Sequence, residues 1–79
     1  MRILFFAQLK DITGCDAMEL PVSSPLTGAQ LWLSLLEKFP GLQAHRGNIR
    51  LARNWEYAGP ESQFTDADEA ALIPPVSGG

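Results

Sequence analysis

The sequence ends in Ile73-Pro74-Pro75-Val76-Ser77-Gly78-Gly79, and the carboxylate carried by its last two glycines is the group with the most chemistry to offer. Glycine has no Cβ, so a Gly-Gly ending slides into a narrow channel and lets another protein approach the acyl carbon from either side. Pro74 and Pro75 fix φ, disfavour helix at the residue before each, and remove two backbone donors that a sheet ladder would otherwise capture. Fully extended, Val76 to Gly79 reaches about 13–14 Å beyond the last proline. A carboxylate is a poor acyl donor until one oxygen becomes a leaving group. Adenylation by ATP achieves that, and a nucleophilic sulfur replacing the adenylate leaves a thiocarboxylate. On this expectation the chain contributes no catalytic group and serves as a tethered reagent in a partner's site. The same ending also fits a frayed terminus or a cloning remnant, and the tail residues alone leave both open.

The other reactive side chains assemble no catalytic set. Cys15 is the sole cysteine, which excludes an internal disulfide and a thiolate cluster, and no base or cation adjoins it in sequence to lower its pKa. His45 is the sole histidine and reads with Arg46 as a surface pair. No G-x-S-x-G, P-loop or H-E-x-x-H pattern occurs. Asp66, Asp68 and Glu69 cluster at a turn without the further oxygen ligands of a calcium loop, so they read as solvated charges and no metal is expected.

Length and composition set bounds on partners. Seventy-nine residues, 46% of them apolar, make one folded domain spanning 1–79, with 74–79 as a protruding tail. Nine acids against six bases give a net charge of −3, which argues against nucleic acid as partner. No run approaches the roughly 18 apolar residues of a membrane span, and the start lacks a signal-peptide cleavage pattern, so a cytoplasmic protein is expected.

The elements that must hold the tail follow from periodicity. Arg2 to Gln8 reads as a buried strand, broken from Gln8 to Thr13 and turned at Gly14. Asp16 to Val22 alternates as a second, antiparallel strand, with Pro21 marking an edge. Thr27 and Gln30 form a capping box, with Leu26 and Leu31 as a staple. Trp32, Leu35, Leu36 and Phe39 then lay one apolar stripe on a helix ended by Pro40-Gly41. After an irregular stretch through Gly47, residues 49–51 alternate as a strand, and Asn54 to Tyr57 predicts another. Gly59 to Ser62 and Thr65 to Asp68 read as turns, leading to a last strand from Glu69 to Ile73. The economical arrangement is α+β, with one helix across a small mixed sheet whose first and last strands pair at the centre.

Ile3-Leu4-Phe5-Phe6-Ala7-Gln8-Leu9 and the acidic turn, strand and Pro-Pro-Val-x-Gly-Gly of Asp66 to Gly79 carry a resemblance that spans nearly the whole chain. The sequence resembles the small, sulfur-carrying subunits of molybdopterin synthase, which are ubiquitin-like β-grasp proteins. Asn54 sits where that family usually carries an asparagine, and the match between residues 40 and 64 is looser. The resemblance implies a β-grasp with a mixed four- to five-stranded sheet and one main helix on one face. It implies that an E1-like adenylating enzyme activates Gly79 with ATP, that a sulfur donor converts it to the thiocarboxylate, and that Pro75, Val76, Ser77 and Gly78 enter the active site of the large synthase subunit. There two sulfur deliveries to cyclic pyranopterin monophosphate make the dithiolene of molybdopterin. The implied assembly is a heterotetramer, with a dimer of large subunits flanked by two small ones, and no cofactor is bound by the carrier itself. From the resemblance, Phe6, Tyr57 and Ile73 are assigned to the docking face, against the alternative that all three fill the core.

Other readings share these features. A carrier for thiamine, tungsten cofactor or tRNA thiolation has the same terminal Gly-Gly, and a ubiquitin-like modifier presents the same activated carboxylate to lysine. A pure interaction domain with an idle tail stands as the reading from a different class. Phe-Phe-Ala-Gln in the first strand and Pro-Pro-Val in the tail favour molybdopterin synthesis.

Overall fold

Residues 1–74 are described by the structure, a computed structural model; Pro75, Val76, Ser77, Gly78 and Gly79 lie outside the described residues. The chain begins with β1 (Arg2–Phe5), α1 (Leu9–Thr13) and β2 (Ala17–Glu19). β3 (Leu26–Thr27) leads into α2 (Gly28–Lys38), and a 3-10 run follows over Pro40–Asn48. β4 (Arg50–Arg53), β5 (Glu56–Ala58), β6 (Gln63–Phe64) and β7 (Glu69–Ile73) complete the described order. Five strands form one mixed sheet in the order β2-β1-β7-β4-β5, and β3 pairs with β6 in a separate two-stranded ribbon. The central pair is the expected one. β1 runs parallel to β7, with Arg2 opposite Glu69 and Phe5 opposite Leu72, and the other pairs in the sheet are antiparallel.

The two faces of this sheet follow from strand alternation. Ile3 and Phe5 of β1, Leu51 of β4, and Ala70 and Leu72 of β7 join a buried cluster with Leu31, Trp32 and Leu35 of α2. Fully buried side chains of this size each contribute about 1.5–3 kcal/mol. Phe5 and Phe39 add an edge-to-face ring pair at 5.7 Å. α2 starts where the capping box predicts: the Gln30 N–H donates to Thr27 Oγ1 at 3.2 Å, and the Thr27 N–H donates to Gln30 Oε1 at 2.9 Å. The stripe is core, as its spacing implies, and Leu33 on the opposite side of the helix is exposed.

Several boundaries differ from the sequence expectation. β1 stops at Phe5 rather than Gln8, because the chain turns into α1, closed at Gly14 in a left-handed conformation (φ 78°). β2 is limited to Ala17–Glu19, and it lies at an edge, as Pro21 requires. The stretch after α2 winds as a 3-10 helix around the buried Leu42. Asn54 and Trp55 are not strand residues. They form the β4–β5 turn, both with positive φ (51° and 70°), so that Ala52 faces Tyr57 across the hairpin.

The start of α2 leans on the turn over residues 59–62. The Gly28 N–H donates to the Ser62 carbonyl at 2.8 Å and the Ala29 N–H to the Pro60 carbonyl at 3.1 Å, satisfying two N-terminal donors of the helix. A Cβ at Gly28 would fall 2.5 Å from the Gly59 carbonyl oxygen, a backbone atom that cannot swing aside. Gly28→Ala is therefore expected to destabilise the fold by roughly 1–3 kcal/mol, measured by urea denaturation. Gly47, whose Cβ would meet nothing within 4 Å, should accept alanine with no comparable loss.

Candidate functional site

Pro74, the last described residue, directly follows β7. Being hydrogen-bonded to β1 on one side and β4 on the other, β7 is the central strand of the sheet, and the last described residues are mounted on it. The face turned away from α2 surrounds that point. In one row across the sheet, Leu4 of β1 is opposite Ala71 of β7, Ala71 opposite Ala52 of β4, and Ala52 opposite Tyr57 of β5. Two alanines thus form a low floor, and both are nearly inaccessible (2% and 3%) because larger side chains rise around them.

Those larger groups are Phe6, Trp55, Tyr57 and Ile73. Trp55 and Tyr57 are 68% and 65% exposed, while Phe6 and Ile73 are half-buried. The Phe6 and Trp55 rings lie 6.3 Å apart, inclined at 53°. Trp55, Tyr57, Ile73 and Ala52 line a shallow recess of about 220 Å³. A second groove, about 410 Å³, runs past Ile49, Arg50, Tyr57 and Ile73 to Pro74. The Arg50 guanidinium sits over the Tyr57 ring, 4.1 Å from its centroid, a cation–π arrangement that holds both side chains beside the tail's base.

All three residues assigned to docking therefore reach the same surface. Tyr57 is not a core residue, and Phe6 and Ile73 turn outward where their neighbours Phe5 and Leu72 are fully buried. Trp55 is the member that sequence reasoning missed. Its signal was Asn54, which tolerates a left-handed conformation and so marks a hairpin turn rather than a strand. The catalytic and tail positions Gly79, Gly78, Ser77, Val76 and Pro75 lie outside the described residues.

Asn54 fixes the hairpin on β7. Its N–H donates to the Glu69 carbonyl at 2.8 Å, its Oδ1 accepts from the Glu69 N–H at 2.9 Å, and its Nδ2 donates to Asp68 Oδ1 at 2.9 Å. This network holds two successive positive-φ residues that would each cost roughly 1–2 kcal/mol unsupported. The acidic turn is more than solvated charge. Asp68 Oδ2 accepts from the Thr65 N–H at 2.7 Å, and Asp66 Oδ1 accepts from the Val22 N–H and the Met1 amino group, both at 3.0 Å. Among the described residues no three metal-ligating groups converge. The Arg46 guanidinium lies over the Trp32 ring, 5.5 Å from its centroid. No helix of the described residues is long and apolar enough to cross a membrane.

The five-stranded mixed sheet with one long helix on its inner face is a ubiquitin-like β-grasp. The chain belongs to the ThiS family, which matches residues 3–79. It is 35% identical over 79 residues to the molybdopterin synthase sulfur carrier subunit of Arabidopsis thaliana, covering 100% of this chain and 82% of that protein. It is 34% identical over 82 residues to the Homo sapiens protein of the same name, covering 100% and 93%. Among solved structures, SAMP1 from Haloferax volcanii superposes with a TM-score of 0.84 at 30% identity, covering 100% of this chain and 98% of that one.

The Asp68 carboxyl is held below the ordinary aspartate range, chiefly by the Thr65 N–H and then by the Asn54 amide; Asp66 is lowered chiefly by its hydrogen bond from the Met1 amino group. A depressed folded-state pKa stabilises above the unfolded value and loses that contribution as pH falls through the folded one. Melting temperature should therefore drop as pH is lowered from about 5 toward 2. Asp68→Asn should melt lower at neutral pH and show a shallower acid slope, because one acceptor oxygen is replaced by a donor facing Thr65 or Asn54.

Proposed function

We propose that the chain is a sulfur carrier subunit of molybdopterin synthase, with the Gly79 carboxylate as its working group. The observation that carries this reading is the mounting of Pro74 at the end of the central strand, beside an outward face of the exposed Tyr57 and the half-buried Phe6 and Ile73. The family match running to residue 79 and the relatives' shared name support it.

In this mechanism an E1-like enzyme binds the domain by that face and receives Pro75 to Gly79 in its site. A Gly79 carboxylate oxygen attacks the α-phosphorus of ATP, pyrophosphate leaves, and an acyl adenylate forms. Sulfide, supplied by a sulfur donor, then attacks the acyl carbon through its sulfur and AMP departs, which leaves the thiocarboxylate. The same face next docks on the large synthase subunit, where the thiocarboxylate sulfur bonds to a side-chain carbon of cyclic pyranopterin monophosphate in place of an oxygen leaving group, and water then cleaves the acyl–sulfur bond and returns Gly79 to a carboxylate. The carrier's contribution is positional: binding the domain turns attack by the tail into an effectively intramolecular step. A cytoplasmic setting, where ATP is at hand, is consistent with this mechanism.

A second reading is favoured by the likeness to SAMP1, described in a further structure as a small archaeal modifier protein. There the activated acyl carbon meets a lysine amine instead of sulfur. Conjugates that survive thiol reagents would mark it.

Reconstitution separates these roles. With the large subunit, activating enzyme, ATP and a sulfur source, the full chain should convert the pterin precursor to its dithiolene, and deletion of Gly79 should abolish conversion. Unimpaired conversion by the deletion variant would refute the carrier mechanism. Ile73→Asp should weaken association with the large subunit at least about tenfold while the domain keeps its far-ultraviolet spectrum, since a charge would replace an apolar contact. Loss of folding would instead assign Ile73 to the core.

A further inference from the structure

Trp55 combines three features that stability alone does not explain. It is the largest side chain type, it is 68% exposed, and its backbone lies at φ 70°, where bulky residues are rare. Glycine at this place in a hairpin turn would be unstrained and would expose no apolar surface. Backbone strain of this kind persists where the surroundings over-determine it, and the Asn54 bonds to Asp68 and Glu69 supply that constraint. The result is an indole beside Phe6, over the same recess that Tyr57 and Ile73 line.

We infer that Trp55 is a specificity-determining anchor for the large synthase subunit, seated in an apolar pocket of that partner whose rim carries a carboxylate for Arg50. This rests on the carrier reading above. Continuity argues for that occupant: Ile73 both lines the Trp55 recess and immediately precedes Pro74, so a protein enclosing the tail must cover this face. Charge argues for the acidic rim. The chain carries a net charge of −3, yet the cation at the base of its tail is Arg50, braced on Tyr57 and engaged in no ion pair among the described residues. Exposed tryptophan and arginine are the residue types that dominate binding energy when an interface closes over them.

The test uses the full chain and the large synthase subunit. Trp55→Gly should keep the fold, with a melting temperature at or above wild type, yet bind the large subunit at least about tenfold more weakly; Trp55→Phe should recover part of that loss. Arg50→Gln should weaken binding and flatten its dependence on salt. On titration with the large subunit, tryptophan emission should shift to the blue in the wild type, with a smaller shift in Trp55→Phe. Unchanged affinity of a folded Trp55→Gly would overturn the inference, as would self-association of the chain through this face with no effect on the complex. Failure of the wild type to bind the large subunit at all would instead defeat the carrier reading, and this inference with it.

Discussion

The parallel pairing of β1 with β7 is the constraint on which the rest of the molecule depends. It joins residues 2–5 to residues 69–72, nearly the full sequence apart, and so costs the loop-closure entropy of almost the entire chain. That cost is offset by what lies beneath: Ile3, Phe5 and Leu72 are inaccessible against Leu31 and Leu35 of α2. Register here is strongly specified. A slip of one residue would send Phe6 and Ile73 inward and expose Phe5 and Leu72, exchanging the outer face for the core.

A small domain with this arrangement has little interior to spare for an active-site cleft, and the described residues bring no catalytic set together. On the proposed reading, function is displaced outward, past the end of the central strand. The alanine floor of Ala52 and Ala71 matters for the same reason as the exposed aromatics. Small residues in the middle of the open face keep it low, while Trp55, Tyr57 and Phe6 stand at its edges, the relief that the proposed docking requires. The Asn54 network ties the hairpin carrying Trp55 to Glu69, the first residue of β7, so the hairpin is fixed to the strand that ends at Ile73.

Much of this frame was legible in the residues. Thr27 and Gln30 declare the start of α2, because a capping box satisfies two orphan donors with side chains readable at fixed spacing. The first and last strands were legible as apolar runs, although the end of β1 was not, since Phe6-Ala7-Gln8 looks like continued strand until the chain turns at Ala7 (φ 52°). Two kinds of element stayed hidden. α1 and the β3–β6 ribbon are too short to show a period, and the ribbon exists only because Leu26 meets Phe64 across the fold. The Asn54-Trp55 turn was hidden for another reason: a bulky aromatic at positive φ contradicts local preference, and such contradictions gather at functional places. The acidic turn likewise looked like solvated charge, because hydrogen bonds from Thr65, Val22 and Asn54 to its carboxylates are tertiary facts.

The central claim is that Gly79 is activated and loaded with sulfur by other proteins. Intact-mass measurement tests it most directly, after the chain is incubated with the adenylating enzyme, ATP and a sulfide source. The account predicts a mass gain equal to replacing one oxygen by sulfur, localised to Gly79 by fragmentation. An unchanged mass from an otherwise competent activating system would contradict it.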